Sequence, residues 1–271
     1  MIASEVTRRI RTSTCAIIRM PKRHEEVLAD VTPGSKAPRP PFQVVGTGFL
    51  VRPALVLTNR HVIEAIAADF KASGSYDHWY LQFSYPRLEG GFAETTKRVA
   101  NVFAFLPAGS VAIDAGLLEF RRGDTGDFEV CQSVEFGDLS TIAVGVDVGV
   151  CGFPLGNALL VDTPGVWRFG PVVHHGIISG IAPFDVSDPR RLTAFLTDTN
   201  TAGGMSGSPV FDPRDGRVIG LHFAGSQGTL GCALPIDRIR VDGWVRFYER
   251  IFVERSNPGP LLMNAAGDIL G

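Results

Sequence analysis

The sequence predicts an all-β fold of the sandwich or barrel kind, and three observations predict it. Short apolar stretches of strand length recur along most of the chain with turn residues between them, and helical periodicity is scarce. The 31 glycines and 18 prolines punctuate these stretches as tight β connections require. With 271 residues, 45% of them apolar and 20% charged, the chain has ordinary globular composition and is long enough for one large β domain or two packed halves.

Each element follows from its local composition. TCAIIRM (14–20) is the first strand, and the Pro-, Gly- and charge-rich stretch 22–41 reads as an exposed loop after it. QVVGTGFLV (43–51) and ALVLT (54–58) come next, joined by a short Arg-Pro turn, and VIEAIAADF after His61 shifts to helical spacing. WYLQFSY (79–85), RVANVFAF (98–105) and AGLLEF (115–120) complete the first half. The second half holds VGVCGF (148–153), HGIISGI (175–181), LTAFLT (192–197), SPVF (208–211) and VIGLHFAG (218–225). A second helix is predicted from about Asp237 to Phe252, with Asp237 as N-cap and Ile239, Trp244, Phe247 and Ile251 at roughly helical spacing. The final SNPGPLLMNAAGDILG has no clear period.

A formal charge of −2 gives no long-range field toward nucleic acid or an anionic membrane, so neither partner is expected. No stretch approaches the roughly 18 to 20 continuous apolar residues that span a bilayer. The apolar run Cys15 to Ile18 is too short for a signal-peptide core, so no secretion signal is read. Cys15, Cys131, Cys151 and Cys232 lie far apart in or beside apolar runs, which favours buried thiols over a disulfide framework and points to a reducing, cytoplasmic setting.

Three segments carry residues of catalytic type. In GTGFLVRPALVLTNRHVIEA, His61 stands where the strand pattern gives way to helix. A general base needs such a rigid seat, because its imidazole must stay within about 3 Å of the nucleophile. In SVAIDAGLLEF, Asp114 is a lone acid among apolar neighbours, and a carboxylate buried there requires a partner. A histidine Nδ1–H is one such partner; a salt bridge or a turn is the alternative. In TNTAGGMSGSPVFD, Ser206 lies among Gly203, Gly204 and Gly207, directly before a strand. Glycines let consecutive N–H groups converge on one concavity, and we assign an oxyanion hole to the N–H groups of Gly204 and Ser206. A flexible Gly/Ser turn would not need Pro209, Val210 and Phe211 to lock it onto a strand, and Ser208 breaks the G-x-S-x-G pattern of hydrolase elbows.

The order His61, Asp114, Ser206 with the words TNRHV, DAGLLEF and GMSGSPVF resembles the trypsin-like serine proteases, especially bacterial members without disulfides, over about residues 12–250. GFPLGN followed by HGIISGI, and GCALPIDRIR, are similar to packing segments of bacterial stress proteases of that fold. The resemblance implies two six-stranded antiparallel Greek-key barrels with a C-terminal helix. It places one barrel at 1–140 with His61 and Asp114, a second at 141–235 with Ser206, and a helix and tail at 236–271. It implies a serine endopeptidase working through an acyl-enzyme, with His61, Asp114 and Ser206 as its triad and no metal or cofactor. Met205 stands where zymogen-activated relatives have an aspartate, and Val62 and Ala202 stand where they have cysteines.

The specificity wall is expected from residues just before the serine and from VIGLHFAG. Thr201 and His222, with Asn200 nearby, resemble the pair that binds the P1 side chain in glutamate-specific bacterial and glutamine-specific viral proteases. A hydroxyl and an imidazole suit P1 Glu, Gln or Asp, and no acid is present there to hold Arg or Lys. His222 as a satisfied core residue is the alternative. Phe223, Ala224 and Gly225 are expected to pair the substrate backbone as an antiparallel strand. The partners implied are a protein or peptide substrate and a regulatory protein, since a cytosolic protease needs restraint; a propeptide in the first dozen residues or a change around 22–41 would serve equally.

Two rival readings come from other classes. One is a catalytically silent protease fold acting as a binding or regulatory module. The other is a metalloenzyme, but His174 and His175 are adjacent on a strand and face opposite ways, and His24-Glu25-Glu26-Val27-Leu28 lacks the second histidine of H-E-x-x-H. Neither G-x-x-x-x-G-K-[ST] nor a strand followed by G-x-G-x-x-G is present.

Overall fold

The computed structural model describes residue 2 and residues 4–20, 42–73, 78–89, 92–107, 113–120, 131–155, 161–163, 166–168, 170–184, 188–226, 230–239, 262–263 and 269–270. The expected loop at 22–41 and most of the helix expected at 237–252 lie outside them.

Helix α1 (Ser4–Ser13) leads directly into β1 (Thr14–Arg19), followed by β2 (Gln43–Arg52), β3 (Leu55–Thr58), helix α2 (Arg60–Ser73), β4 (Trp79–Glu89), β5 (Phe92–Pro107) and β6 (Gly116–Phe120). These six strands close a barrel in the order β1-β2-β3-β6-β5-β4, every pair antiparallel. Then come β7 (Asp147–Gly152), a small hairpin of β8 (Val161–Thr163) and β9 (Val166–Arg168), β10 (Val172–Ala182), β11 (Ala194–Thr197), β12 (Pro209–Phe211), β13 (Val218–Ser226) and β14 (Leu230–Pro235). A second antiparallel barrel closes in the order β10-β11-β14-β13-β12-β7. The two six-stranded barrels are those the sequence leads one to expect. A short helix α3 (Ile236–Ile239) follows β14, and a hairpin of β15 (Leu262–Met263) and β16 (Ile269–Leu270) lies near the end. Asp237 sits inside α3, one residue past its start, so it is not the N-cap; its carboxylate accepts from Leu139 N–H at 3.2 Å.

The core has four parts, the two barrel interiors, the seam between them, whose strands bury both faces, and a smaller cluster of Ile18, Val44, Tyr80 and Phe153. Cys15, Ile17, Leu50, Val56, Leu81 and Phe83 fill the first barrel, and Val148, Val150, Phe195, Val210 and Ile219 fill the second. The alternate residues Phe49, Val51, Leu55 and Leu57 point the other way and meet Cys151, Phe211, Val218 and Leu221 across the seam. Helix α1 joins that seam through Val6 and Ile10, and α3 through Ile236 and Ile239. Each such side chain contributes about 1.5–3 kcal/mol of burial, so the barrels are docked by their own outer faces and by the ends of the chain.

All four cysteines are free. Cys15 and Cys151 are buried as expected, whereas Cys131 and Cys232 are only partly so. Among the described residues no helix is long and apolar enough to cross a membrane.

Candidate active site

His61 lies in the first turn of α2, one residue past its start. Val62, Ile63 and Ile66 anchor the helix in the first barrel's core, leaving His61 on the outer side with its side chain 47% exposed. The first N–H groups of a helix have no partner within it, and Asp114 supplies one. Its Oδ1 accepts from the His61 backbone N–H at 3.0 Å, while Oδ2 faces His61 Nδ1 at 2.8 Å. One carboxylate therefore caps the helix and fixes the ring.

Asp114 is itself held by the backbone around it. Ala115 N–H donates to Ile113 O at 2.9 Å, closing a tight turn centred on Asp114, and Asn59 Nδ2 donates to Asp114 O at 2.8 Å. Asn59 is fully buried between β3 and α2. This asparagine lies within TNRHV, where nothing in the local sequence marks its role. The Asp114 side chain is 28% exposed, so it is less enclosed than its apolar neighbours led one to expect.

Ser206 sits in the turn before β12. Thr47 on β2 holds that turn from the opposite barrel: its N–H donates to Ser206 O at 2.7 Å and its Oγ1 donates to Gly204 O at 2.7 Å. Thr58 Oγ1 donates to Thr47 O at 2.7 Å, and Phe153 N–H donates to Thr47 Oγ1 at 3.2 Å. From its own barrel the loop is held by Gly207 N–H to His222 O at 2.9 Å and His222 N–H to Ser208 O at 2.9 Å. Gly207 has φ +88°, and a β-carbon there would lie 2.0 Å from Thr47 O, so only glycine fits both the conformation and the approach. Thr47 and Thr58 are functional supports that sequence reading missed, because a buried threonine inside a strand looks like any other β-former.

The segments that carry His61 and Ser206 meet at Gly46. A β-carbon there would stand 2.9 Å from Val62 Cγ2 and 3.1 Å from Ser206 O, which sets the residue after His61 and the serine on either side of one glycine. No hydrogen bond joins Ser206 Oγ to His61 among the described residues; in unliganded sites such bonds are often long and tighten with substrate. Gly204 has φ +94°. The N–H groups of Gly204 and Ser206 donate to no described group.

On the expected specificity wall, Thr201 and His222 are buried and Asn200 is exposed. Burial pushes the His222 pKa down to about 4. Phe223 is the bulged residue where the β13–β14 register shifts, and pairing of β13 with β12 has ended by then. The edge of Phe223, Ala224 and Gly225 away from β14 therefore has no partner strand among the described residues.

His174 and His175 lie consecutively on β10. His175 Nε2 is 3.4 Å from Asp147 Oδ1, while His174 is partly buried with its Nε2 unpartnered among the described residues. Among the described residues no three His, Cys, Asp or Glu side chains cluster as metal ligands.

A family model of the trypsin-like peptidase domain matches residues 46–221. The chain is similar to a glutamyl endopeptidase of Staphylococcus aureus, 25% identical over 227 residues, covering 80% of this chain and 60% of the relative. It thus spans about three fifths of the curated relatives it matches. Among solved structures, Deg5 superposes with TM-score 0.54 at 17% identity, covering 90% of this chain and 93% of that one. The HtrA-type protease AlgW with decapeptide superposes with TM-score 0.52 at 16% identity, covering 92% and 67%.

Proposed function

This chain belongs to the trypsin-like peptidase family, and from that premise we propose that it is a serine endopeptidase that cleaves peptide bonds through an acyl-enzyme. Ser206 Oγ attacks the scissile carbonyl carbon as His61 Nε2 takes its proton. The N–H groups of Gly204 and Ser206 receive the oxyanion, and His61 returns the proton to the leaving amine. Asp114 keeps the imidazole in the tautomer with a proton on Nδ1 and steadies the imidazolium as it forms. A water then attacks the ester with His61 again as base. The observation that carries this reading is the double grip of Asp114 on His61, at 3.0 Å to its N–H and 2.8 Å to its ring.

The substrate is a protein or peptide whose backbone adds to the open edge at Phe223, Ala224 and Gly225, with its P1 side chain against Thr201 and His222 beside Asn200. P1 Glu, Gln or Asp is the preference that a hydroxyl and an imidazole support, and likeness to a glutamyl endopeptidase favours the same class. The cytoplasm is the proposed setting, supported by four free cysteines.

A silent protease fold is the second reading, favoured by the missing hydrogen bond between Ser206 and His61. A fluorophosphonate probe separates the two. Covalent labelling at Ser206 that is lost in Ser206→Ala and strongly slowed in His61→Ala is expected of the peptidase; an unlabelled wild-type chain would refute it.

A further inference from the structure

Asn59 is the single residue between Thr58, the last of β3, and Arg60, the first of α2. Its carbonyl accepts the first helical bond, from Ile63 N–H at 3.2 Å, so it stands in the N-cap position of the helix. An asparagine side chain in that place ordinarily turns back and accepts from the second or third N–H of the helix. Here it does not. Its Oδ1 is enclosed with no hydrogen-bond partner among the described residues, and the second N–H of α2, that of His61, goes instead to Asp114 Oδ1 at 3.0 Å.

The amide is turned the other way. Asn59 Nδ2 donates to the main-chain oxygen of Asp114 at 2.8 Å. A carbonyl oxygen only accepts, so the amide atom facing it has to be the nitrogen. No other described group bonds that oxygen. The two residues have exchanged tasks: the carboxylate of Asp114 caps the helix, and the side chain in the cap position holds the backbone of Asp114. The exchange leaves a fully buried oxygen unpaired, which is costly. A side chain serving helix stability alone would pair that oxygen with the His61 N–H.

We infer that Asn59 is a positioning residue of the peptidase that acts through Asp114: it sets where the aspartate stands against α2, so that both carboxylate oxygens meet one histidine. This rests on His61 and Asp114 working as base and orienting partner, as in the proposed function. Asn59 and His61 are two residues apart on one turn, so the backbone and the carboxylate of Asp114 are gripped from a common frame. Without the amide, the ties nearest to Asp114 are the bond inside its own turn, Ala115 N–H to Ile113 O at 2.9 Å, and the pairing of Gly116 with Thr58. Neither fixes the carbonyl that Asn59 holds. A misplacement of about 1 Å in a catalytic constellation costs about 100-fold in rate.

The test compares Asn59→Ser with wild type. Serine caps a helix about as well as asparagine and so keeps α2, but its hydroxyl ends one bond short of the amide nitrogen and leaves Asp114 O unheld. Steady-state kinetics on a peptide substrate, with active sites counted by a fluorophosphonate, should show kcat lowered at least about tenfold and KM little changed. Ile66→Val thins the buried face of the same helix and reports plain destabilisation: Tm should fall while kcat per active site stays. Proton NMR in the Ser206→Ala background needs no turnover. The far-downfield Nδ1 proton of His61, held by Asp114, should lose intensity to exchange with water when Asn59→Ser is added. Should Asn59→Ser not fold, Asn59→Asp, which has the same shape and caps as well but lacks the donor, carries the same expectations. Failure of both to fold makes Asn59 a residue of the fold alone and overturns the inference. So does an equal loss of kcat in Ile66→Val, or a folded variant with unchanged kcat and an unchanged Nδ1 signal; these leave the peptidase standing. A wild-type chain that neither cleaves nor is labelled removes the proposed function together with this inference.

Discussion

Replacing Thr47 with valine removes one hydroxyl and keeps the shape, which makes it the sharpest probe of what holds the nucleophile's loop. That hydroxyl donates to Gly204 O at 2.7 Å and accepts from Phe153 N–H at 3.2 Å, in a residue with no solvent exposure. In Thr47→Val both backbone groups lose their partner. An unpaired buried group costs about 1–3 kcal/mol. The short bond to Gly204 belongs in the middle of that range and the longer one to Phe153 at its lower end, giving a loss of about 3 kcal/mol. For a chain of this size that lowers Tm by roughly 5 °C if it unfolds as one unit. The larger effect falls on chemistry. With the Gly204 carbonyl released, its loop turns more freely and the Gly204 N–H is no longer held toward the oxyanion. Losing one such donor costs about 100- to 1,000-fold in kcat, and partial loosening should cost at least about tenfold with KM little changed. Thermal unfolding by circular dichroism and steady-state kinetics on a fluorogenic peptide read the two effects separately. A Tm within about 1 °C of wild type together with unchanged kcat would show that Thr47 is not the anchor.

Asp114→Asn should leave the far-ultraviolet spectrum intact and lower kcat/KM by roughly 1,000- to 10,000-fold, because an amide N–H facing Nδ1 forces the wrong tautomer; a loss under tenfold would remove Asp114 from the mechanism. His222 should make the protein acid-sensitive. Its folded pKa of about 4 lies below the ordinary value of 6.5, so the unfolded chain binds the proton more readily. The stability it allows is complete above pH 6.5 and is lost progressively as pH falls toward 4, to a total of about 3 kcal/mol. Urea unfolding of wild type and His222→Gln between pH 7 and 4 should show a shallower decline in the variant; parallel declines would assign the acid sensitivity elsewhere.

The strands were readable, and His61, Asp114 and Ser206 stood out as candidates, because each depends on neighbours in sequence. Runs such as VLT before His61 and PVF after Ser206 are apolar on both faces, and they mark seam strands however the barrels are arranged. Helix α1 was not readable. SEVTRRIRTS has only Val6 and Ile10 as buried apolar side chains, one turn apart among arginines, and that single pair becomes a helix because the seam receives it. The β8–β9 hairpin, with three residues per strand, and the two-residue β15 and β16 are too short to show a period. Asn59, Thr47 and Thr58 were hidden for a different reason. Polar residues in or beside a strand usually mark its wet face, whereas these three are fully buried, and what they bond is a carbonyl or N–H as many as 157 residues away.

That last point bears on how the site works as a unit. The nucleophile belongs to the second barrel, yet the two hydrogen bonds that fix the carbonyls of Gly204 and Ser206 both come from Thr47 in the first. The second barrel contributes the bonds between Gly207, Ser208 and His222, which tie the same loop to β13. Orientation of Ser206 is thus a property of the docked pair and of neither barrel by itself. The docking in turn rests on the seam, where Val6 and Ile10 of α1 lie against residues of both barrels. A change that loosens the seam shifts Thr47 relative to Gly204 before it unfolds either core, because a bond of 2.7 Å tolerates only a few tenths of an ångström while a packed barrel holds its own interior. Catalysis in this chain should therefore fail earlier than folding when the seam is perturbed, and the residues that govern its activity extend to positions far from any substrate.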